Sequence, residues 1–203
     1  MSPRKQRAYV DFPRHTVKTL RGILKYCLQH AYCRSAVLLS DVSNYGQINK
    51  TLGHAAGDAL MAAVARTIEV AARLGDMVAR VSTSEIAVVL DGIADADEAA
   101  VIAGRIWRAL QTPVVIEGHD IVPMLRTGIV VITVADRDPE IIMRDAASAL
   151  TVAVASAELP FGVFNPELRQ RAMERLHIET TLRHAVERNA LRVVYQPIEQ
   201  LSA

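Results

Sequence analysis

Met77-Val78-Ala79-Arg80-Val81, then Ser82-Thr83-Ser84-Glu85, then Ile86-Ala87-Val88-Val89-Leu90: two β-prone runs with four polar residues between them read as a hairpin. Upstream, Ala36–Val42 is a short apolar run carrying Asp41 near its end and reads as a buried strand. Polar residues follow through Lys50, then Gly53-His54-Ala55-Ala56-Gly57-Asp58, and an Ala-rich helix is expected from about Ala59 to Leu74, stopped by Gly75. Downstream, residues 95–110 have helical apolar spacing and are followed by Pro113. Val114–Ile116 and Ile121–Thr133 read as strands around the turn Glu117-Gly118-His119-Asp120. Residues 139–157 read as a helix and Phe161–Phe164 as a short strand. Strands and helices alternate, but the hairpin interrupts the alternation. The order therefore points to a mixed sheet with helices packed on it, not to an all-parallel one.

At the edges of this region, Val17, Leu20, Leu24, Cys27, Leu28 and Ala31 fall on one helical face within residues 16–32. Asn165-Pro166-Glu167 supplies a capping Asn, a Pro at the first helical position and an acid in the first turn, so a long helix is expected to about Asn189. Leu191–Tyr195 then starts a strand.

The 203 residues suit one domain of ordinary size with an appendage. Half the residues are hydrophobic but only 4% are aromatic, so the core is aliphatic. A net charge of +1 argues against binding to nucleic acid or an anionic membrane surface. No apolar run reaches the ~18 residues of a membrane span, and the basic start, Met1 to Arg7, leads into no signal-peptide core. The expected location is the cytoplasm. Cys27 and Cys33 are without a second pair at zinc spacing and read as reduced thiols.

Several stretches resemble the GGDEF family of diguanylate cyclases, which condense two GTP molecules into cyclic di-GMP. They are Leu38-Leu39-Ser40-Asp41-Val42-Ser43-Asn44-Tyr45, Ile48-Asn49-Lys50-Thr51-Leu52-Gly53-His54-Ala55-Ala56-Gly57-Asp58, Arg73-Leu74-Gly75-Asp76-Met77-Val78-Ala79-Arg80, the hairpin 81–90, and Thr127-Gly128-Ile129. The second of these is the most specific. The resemblance covers about residues 36–164. It implies an α+β fold of the nucleotidyl-cyclase and polymerase-palm kind: a mixed, largely antiparallel sheet flanked by helices. Further on, Tyr195-Gln196-Pro197-Ile198 resembles the entry strand of EAL domains, which commonly follow GGDEF domains. The implied organisation is an N-terminal helical segment (1–35), a degenerate GGDEF domain (36–165), a linker helix (166–190) and the first strand of a truncated EAL domain (191–203).

The departures from the family pattern bear on chemistry. The signature Gly-Gly-Asp/Glu-Glu-Phe is here Ser82-Thr83-Ser84-Glu85-Ile86. The glycines that admit positive φ are gone, and β-branched Thr83 disfavours such angles, so a reshaped turn is expected. Ser84 stands where the family has a metal-binding carboxylate, while Asp41 matches the other one. Phosphoryl transfer needs carboxylate-held metal to balance the triphosphate, and a single Asp is a poor site for two ions. Glu85, by strand alternation from Ser84, is expected on the other side of the strand and is no substitute. Two family cations are also missing: Tyr45-Gly46 follows Asn44 where the family continues Phe-Lys, and Ala149-Leu150-Thr151-Val152-Ala153-Val154 replaces a Tyr- and Lys-bearing stretch. Each lost charge-assisted bond forfeits about 1.5–3 kcal/mol.

Other family positions persist. Asn49 and Asp58 match residues that recognise the guanine edge; the alternative reading is a helix cap or turn residue and an acid in a first helical turn. Arg73 and Asp76 match the RxxD site at which cyclic di-GMP inhibits relatives; the alternative is an exposed ion pair at a helix end. The resulting expectation is a domain with no catalytic residues that regulates its own EAL domain in cyclic di-GMP signalling and binds GTP with Mg²⁺, or cyclic di-GMP. The alternative is a nucleotide-independent scaffold for a homodimer or protein partner. His54 and His119 read as loop and turn residues, Trp107 as core or interface, and Arg169, Arg171 and Arg175 as a solvated face.

Overall fold

The computed structural model describes residues 35–73, 76–132, 138–156 and 160–165. They belong to the first of two units into which the chain divides, Met1–Asn165 and Pro166–Ala203. The expected helix 16–32, both cysteines, the linker helix and the EAL-like strand lie outside the described residues.

The elements are β1 (Ser35–Val42), α1 (Tyr45–Leu52), α2 (His54–Ala71), β2 (Met77–Arg80), β3 (Glu85–Asp91), α3 (Ala96–Ala109), β4 (Val114–Ile116), β5 (His119–Ile121), β6 (Leu125–Ile132), α4 (Pro139–Ala155) and β7 (Phe161–Val163). Five strands form one sheet in the order β2-β3-β1-β6-β7. All its neighbours are antiparallel except β6 and β7, which run parallel. This is the mixed α+β architecture expected from the interrupting hairpin.

β1 and β3 read as near-continuous apolar runs because both faces of the sheet are covered. On one face Leu38, Ile86, Val88, Leu90 and Ile129 meet Leu60, Met61, Val64 and Ile68 of α2 and Ile102 and Ile106 of α3. On the other, Val37, Leu39, Ala87, Val89 and Val130 meet Ile142, Ala146 and Leu150 of α4. In the first of these faces the hydroxyls of Ser40 and Thr127 bond each other at 2.9 Å, so the buried polar pair is satisfied across the strands.

α4 lies very close to the sheet. A Cβ at Gly128 would come within 2.2 Å of the Ala146 carbonyl oxygen and 2.4 Å of the Leu150 nitrogen. Gly128 has no side chain because the helix backbone occupies that volume.

Three expectations are corrected. The polar stretch after β1 contains a helix, α1, whose Tyr45, Ile48 and Leu52 pack at i, i+3 and i+7 against the first core. α2 spans His54–Ala71 rather than about Ala59 to Leu74: Gly53 breaks the chain direction at φ 90°, an angle that suits glycine, and the chain is already extended at Ala72. The β4–β5 turn is only Glu117-Gly118, both at positive φ (50° and 82°) as a tight hairpin demands, and His119 belongs to β5.

Candidate functional site

Asp41 is on β1, directly opposite Glu85 of β3 on one side and Arg126 of β6 on the other. Directly paired residues share a sheet face, so these three form a charged row beyond the apolar residues of the α4 face. Each Asp41 carboxylate oxygen accepts a hydroxyl: Oδ1 from Ser84 at 2.8 Å and Oδ2 from Ser43 at 3.1 Å. Ser84 thus reaches the Asp41 carboxylate. Glu85, the first residue of β3, pairs with Asp41 in the strand register, and one position further along the Val42 N–H donates to the Ser84 carbonyl at 2.9 Å.

Hydroxyl donors engage both oxygens of Asp41, and among the described residues no group of three or more His, Cys, Asp or Glu side chains is arranged to hold a metal.

The signature turn takes a form that needs no glycine. Among the described residues Glu117 is the one non-glycine at positive φ, so Ser82, Thr83 and Ser84 all avoid that region. Four hydrogen bonds hold the turn. The Val81 and Ser82 N–H groups donate to the Glu85 carbonyl at 2.9 and 3.4 Å. The Arg80 guanidinium donates from Nε to the Ser82 carbonyl at 3.0 Å and from Nη2 to the Thr83 carbonyl at 2.7 Å. The fifth signature residue, Ile86, is fully buried in the first core and serves packing.

Arg80 also reaches α2. Its Nη1 and Nη2 both donate to Asp58 Oδ1 at 3.3 Å. Asp58 is largely exposed, Arg80 much less so. Because α2 begins at His54, no acid occupies its first turn, which removes the alternative reading of Asp58. Asn49 lies inside α1 and is neither cap nor turn. Its Oδ1 is buried with no hydrogen-bond partner and stands over Gly57, where a Cβ would come within 1.7 Å of it. Asn49 thereby packs against the residue that precedes Asp58, and Gly57 leaves room for its carboxamide. A buried acceptor without a partner carries a desolvation cost of about 1–3 kcal/mol.

The opposite edge of the site is pinned by Asn44, whose amide donates to the Val122 carbonyl and whose Oδ1 accepts the Met124 N–H, each at 3.0 Å. At the positions of the two missing cations, Gly46 is exposed and Val154 presents an apolar side chain to solvent.

Arg73 and Asp76 do come together, but not as an ion pair. Asp76 Oδ2 accepts the Arg73 backbone N–H at 2.7 Å, and its Oδ1 accepts the Asp91 N–H at 3.3 Å. The Arg73 guanidinium turns to Glu98 of α3 at 2.8 Å. The Ala94 N–H and then Arg73 hold the Glu98 carboxyl below the usual carboxylate range. The helix-end pair expected as the alternative therefore exists with a different acid.

Sequence reasoning assigned no role to Arg80, Ser43, Arg126 or Glu98. Arg80 and Ser43 stand within the quoted motifs, so a signal was present. Arg126 and Glu98 are joined to the site only by strand register and helix placement.

The family model described as diguanylate cyclase, GGDEF domain, matches residues 14–158. The cyclic di-GMP phosphodiesterase NbdA of Pseudomonas aeruginosa is 29% identical over 167 residues, which is 82% of this chain and 21% of that protein. The chain thus spans about a fifth of that relative's length. Among solved structures, the GGDEF domain of TpbB (YfiN) from the same species superposes with a TM-score of 0.71 at 28% identity, over 78% of this chain and 95% of the other. An EAL/GGDEF domain protein from M. capsulatus superposes with a TM-score of 0.63 at 31% identity, over 70% and 94%. Fold, motif order and a family match over most of its length agree: the chain belongs to the GGDEF domain family.

Proposed function

We propose that this chain is a GGDEF domain without cyclase activity that regulates an attached EAL domain in cyclic di-GMP signalling. The observation that carries the reading is the state of Asp41, whose two oxygens are taken by Ser84 and Ser43. A cyclase needs that carboxylate, with a second one, to hold metal against the triphosphate. Here a neutral hydroxyl stands at the second position. The two absent phosphate-binding cations point the same way.

Asn49 and Asp58 support retained recognition of a guanine base, because the exposed Asp58 carboxylate follows Gly57, against which the Asn49 carboxamide lies. The ligand in this reading is GTP, with or without Mg²⁺, in the cleft, or cyclic di-GMP at Arg73 and Asp76. Calorimetric titration with GTP tests the first: micromolar binding abolished by Asp58→Ala is expected, and no binding at millimolar GTP would remove it. Cyclic di-GMP formed from GTP and Mg²⁺ by the purified protein would refute the loss of activity. For the longer protein, the expectation is that ligand alters cyclic di-GMP hydrolysis by the EAL domain. The reading places the domain in the cytoplasm; among the described residues no helix is long and apolar enough to cross a membrane.

A second reading, a nucleotide-independent scaffold for a second copy or another protein, draws on the internal pairing of both ligand-type residues: Asp58 with Arg80 and Arg73 with Glu98. Unchanged partner binding in Asp58→Ala and Arg73→Ala would favour it.

A further inference from the structure

We infer that Arg80 is an internal competitor of the guanine base: its guanidinium holds Asp58 Oδ1 and gives up that contact when a base is recognised there. The inference rests on the reading of Asp58 as a guanine-edge acceptor. Guanine offers a carboxylate two neighbouring N–H donors, N1–H and N2–H₂. A guanidinium offers the same pattern, two N–H donors in a planar fork. In this chain both terminal nitrogens of Arg80 donate to the same Asp58 oxygen at 3.3 Å. The two donor sets compete for that oxygen.

The rest of the guanidinium shows why the occupant is held in reserve rather than lost to solvent. Nε and Nη2 are fixed at 3.0 and 2.7 Å by the carbonyls of Ser82 and Thr83, shorter bonds than those to Asp58. The arginine is anchored on the signature turn and makes its longer, weaker contacts to α2. When a base takes Asp58, the guanidinium keeps its anchor and gives up only those long contacts. The same residue thereby joins the base-recognition carboxylate to the turn that carries Ser84, the hydroxyl on Asp41. Occupancy of Asp58 is felt at the turn through one side chain.

The magnitude is bounded by exposure. The Asp58 side chain is 65% exposed, and an exposed ion pair of this kind shifts an equilibrium by no more than about fivefold. Arg80 therefore lowers base affinity by a small factor and makes it sensitive to salt.

The test is calorimetric titration of the full chain with GTP, comparing wild type, Arg80→Met and Arg80→Met/Asp58→Asn. The expected result is two- to fivefold tighter binding in Arg80→Met, with the gain cancelled by Asp58→Asn. Equal binding by wild type and Arg80→Met overturns the inference and leaves the nucleotide reading standing. Binding by Arg80→Met alone supports the inference and removes GTP sensing by the native chain. Binding by neither removes both. Should Arg80→Met fail to fold through loss of the turn anchor, the wild-type Arg80 Nε–H resonance gives the answer. It is expected to shift on addition of GTP and in Asp58→Asn, and a resonance unmoved by either overturns the inference.

Discussion

Replacing Ser84 by Asp restores the family's carboxylate and puts a number on what the serine does. In the structure Ser84 Oγ donates to Asp41 Oδ1 at 2.8 Å. Ser84→Asp removes a bond to a charged acceptor, worth about 1.5–3 kcal/mol. It also sets a second anion ~4 Å from the first, a repulsion of about 1 kcal/mol in water and about 4 kcal/mol at an effective dielectric constant of ~20. The site is partly exposed, so the repulsion lies toward the lower figure. The total is about 3–5 kcal/mol of lost stability without metal, against a domain stability of about 5–15 kcal/mol. At about 2–4 °C per kcal/mol for a chain of this size, the midpoint falls by roughly 6–20 °C. Two facing carboxylates also make a cation site. Mg²⁺ at a hundred times its dissociation constant returns about 2.7 kcal/mol to the variant, beyond any effect on the wild type. Thermal unfolding of both proteins in EDTA and in saturating MgCl₂ reads both effects. A variant as stable as wild type in EDTA, or one indifferent to Mg²⁺, would refute the assignment of Ser84 as the hydroxyl that satisfies a vacated metal position.

Other outcomes follow from the packing. Gly128→Ala forces a Cβ against the backbone of α4 at Ala146 and Leu150, which cannot swing aside as a side chain tip can; a loss of about 1–3 kcal/mol is expected, and a urea midpoint unchanged from wild type would count against the close approach. Gly57→Ala displaces the Asn49 carboxamide; the expectation is abolished or weakened GTP binding with the domain still folded, and undiminished affinity would remove Asn49 from the base site. Asp95 caps α3 by accepting the Glu98 N–H at 2.9 Å, so Asp95→Ala costs about 0.5–2 kcal/mol in denaturant unfolding. Glu98 has a lowered carboxyl pKa, so its contribution is fully present above the unfolded-state value and is lost as pH falls through the folded one. The Arg73 contact therefore opens only in acid, and an NMR titration of Glu98 with a midpoint at or above the usual carboxylate value would contradict it.

Much of the fold was legible because its determinants are local or periodic. The hairpin 77–90 declared itself by two apolar runs around four polar residues, and helices α3 and α4 by apolar spacing. The family motifs carried Asp41, Asn49, Asp58, Arg73 and Asp76 into view. Helix α1 escaped because only three apolar residues mark its eight, and they are half-buried rather than core. The start of α2 was misplaced because Gly53 acts through a backbone angle, and no side-chain pattern records an angle.

The sequence alone determined that the signature lacks its glycines and one carboxylate, since that is a matter of residue identity. Only the tertiary structure decided what fills their place. Strand register paired Glu85 with Asp41, and the loop geometry turned two serine hydroxyls onto one carboxylate. The approach of α2 to β2 let Arg80 reach Asp58, and that of the chain just after α2 to α3 sent Arg73 to Glu98. The physical reason is the same in each case. A composition lists donors and acceptors, but which donor meets which acceptor depends on how the packed core sets the elements that carry them.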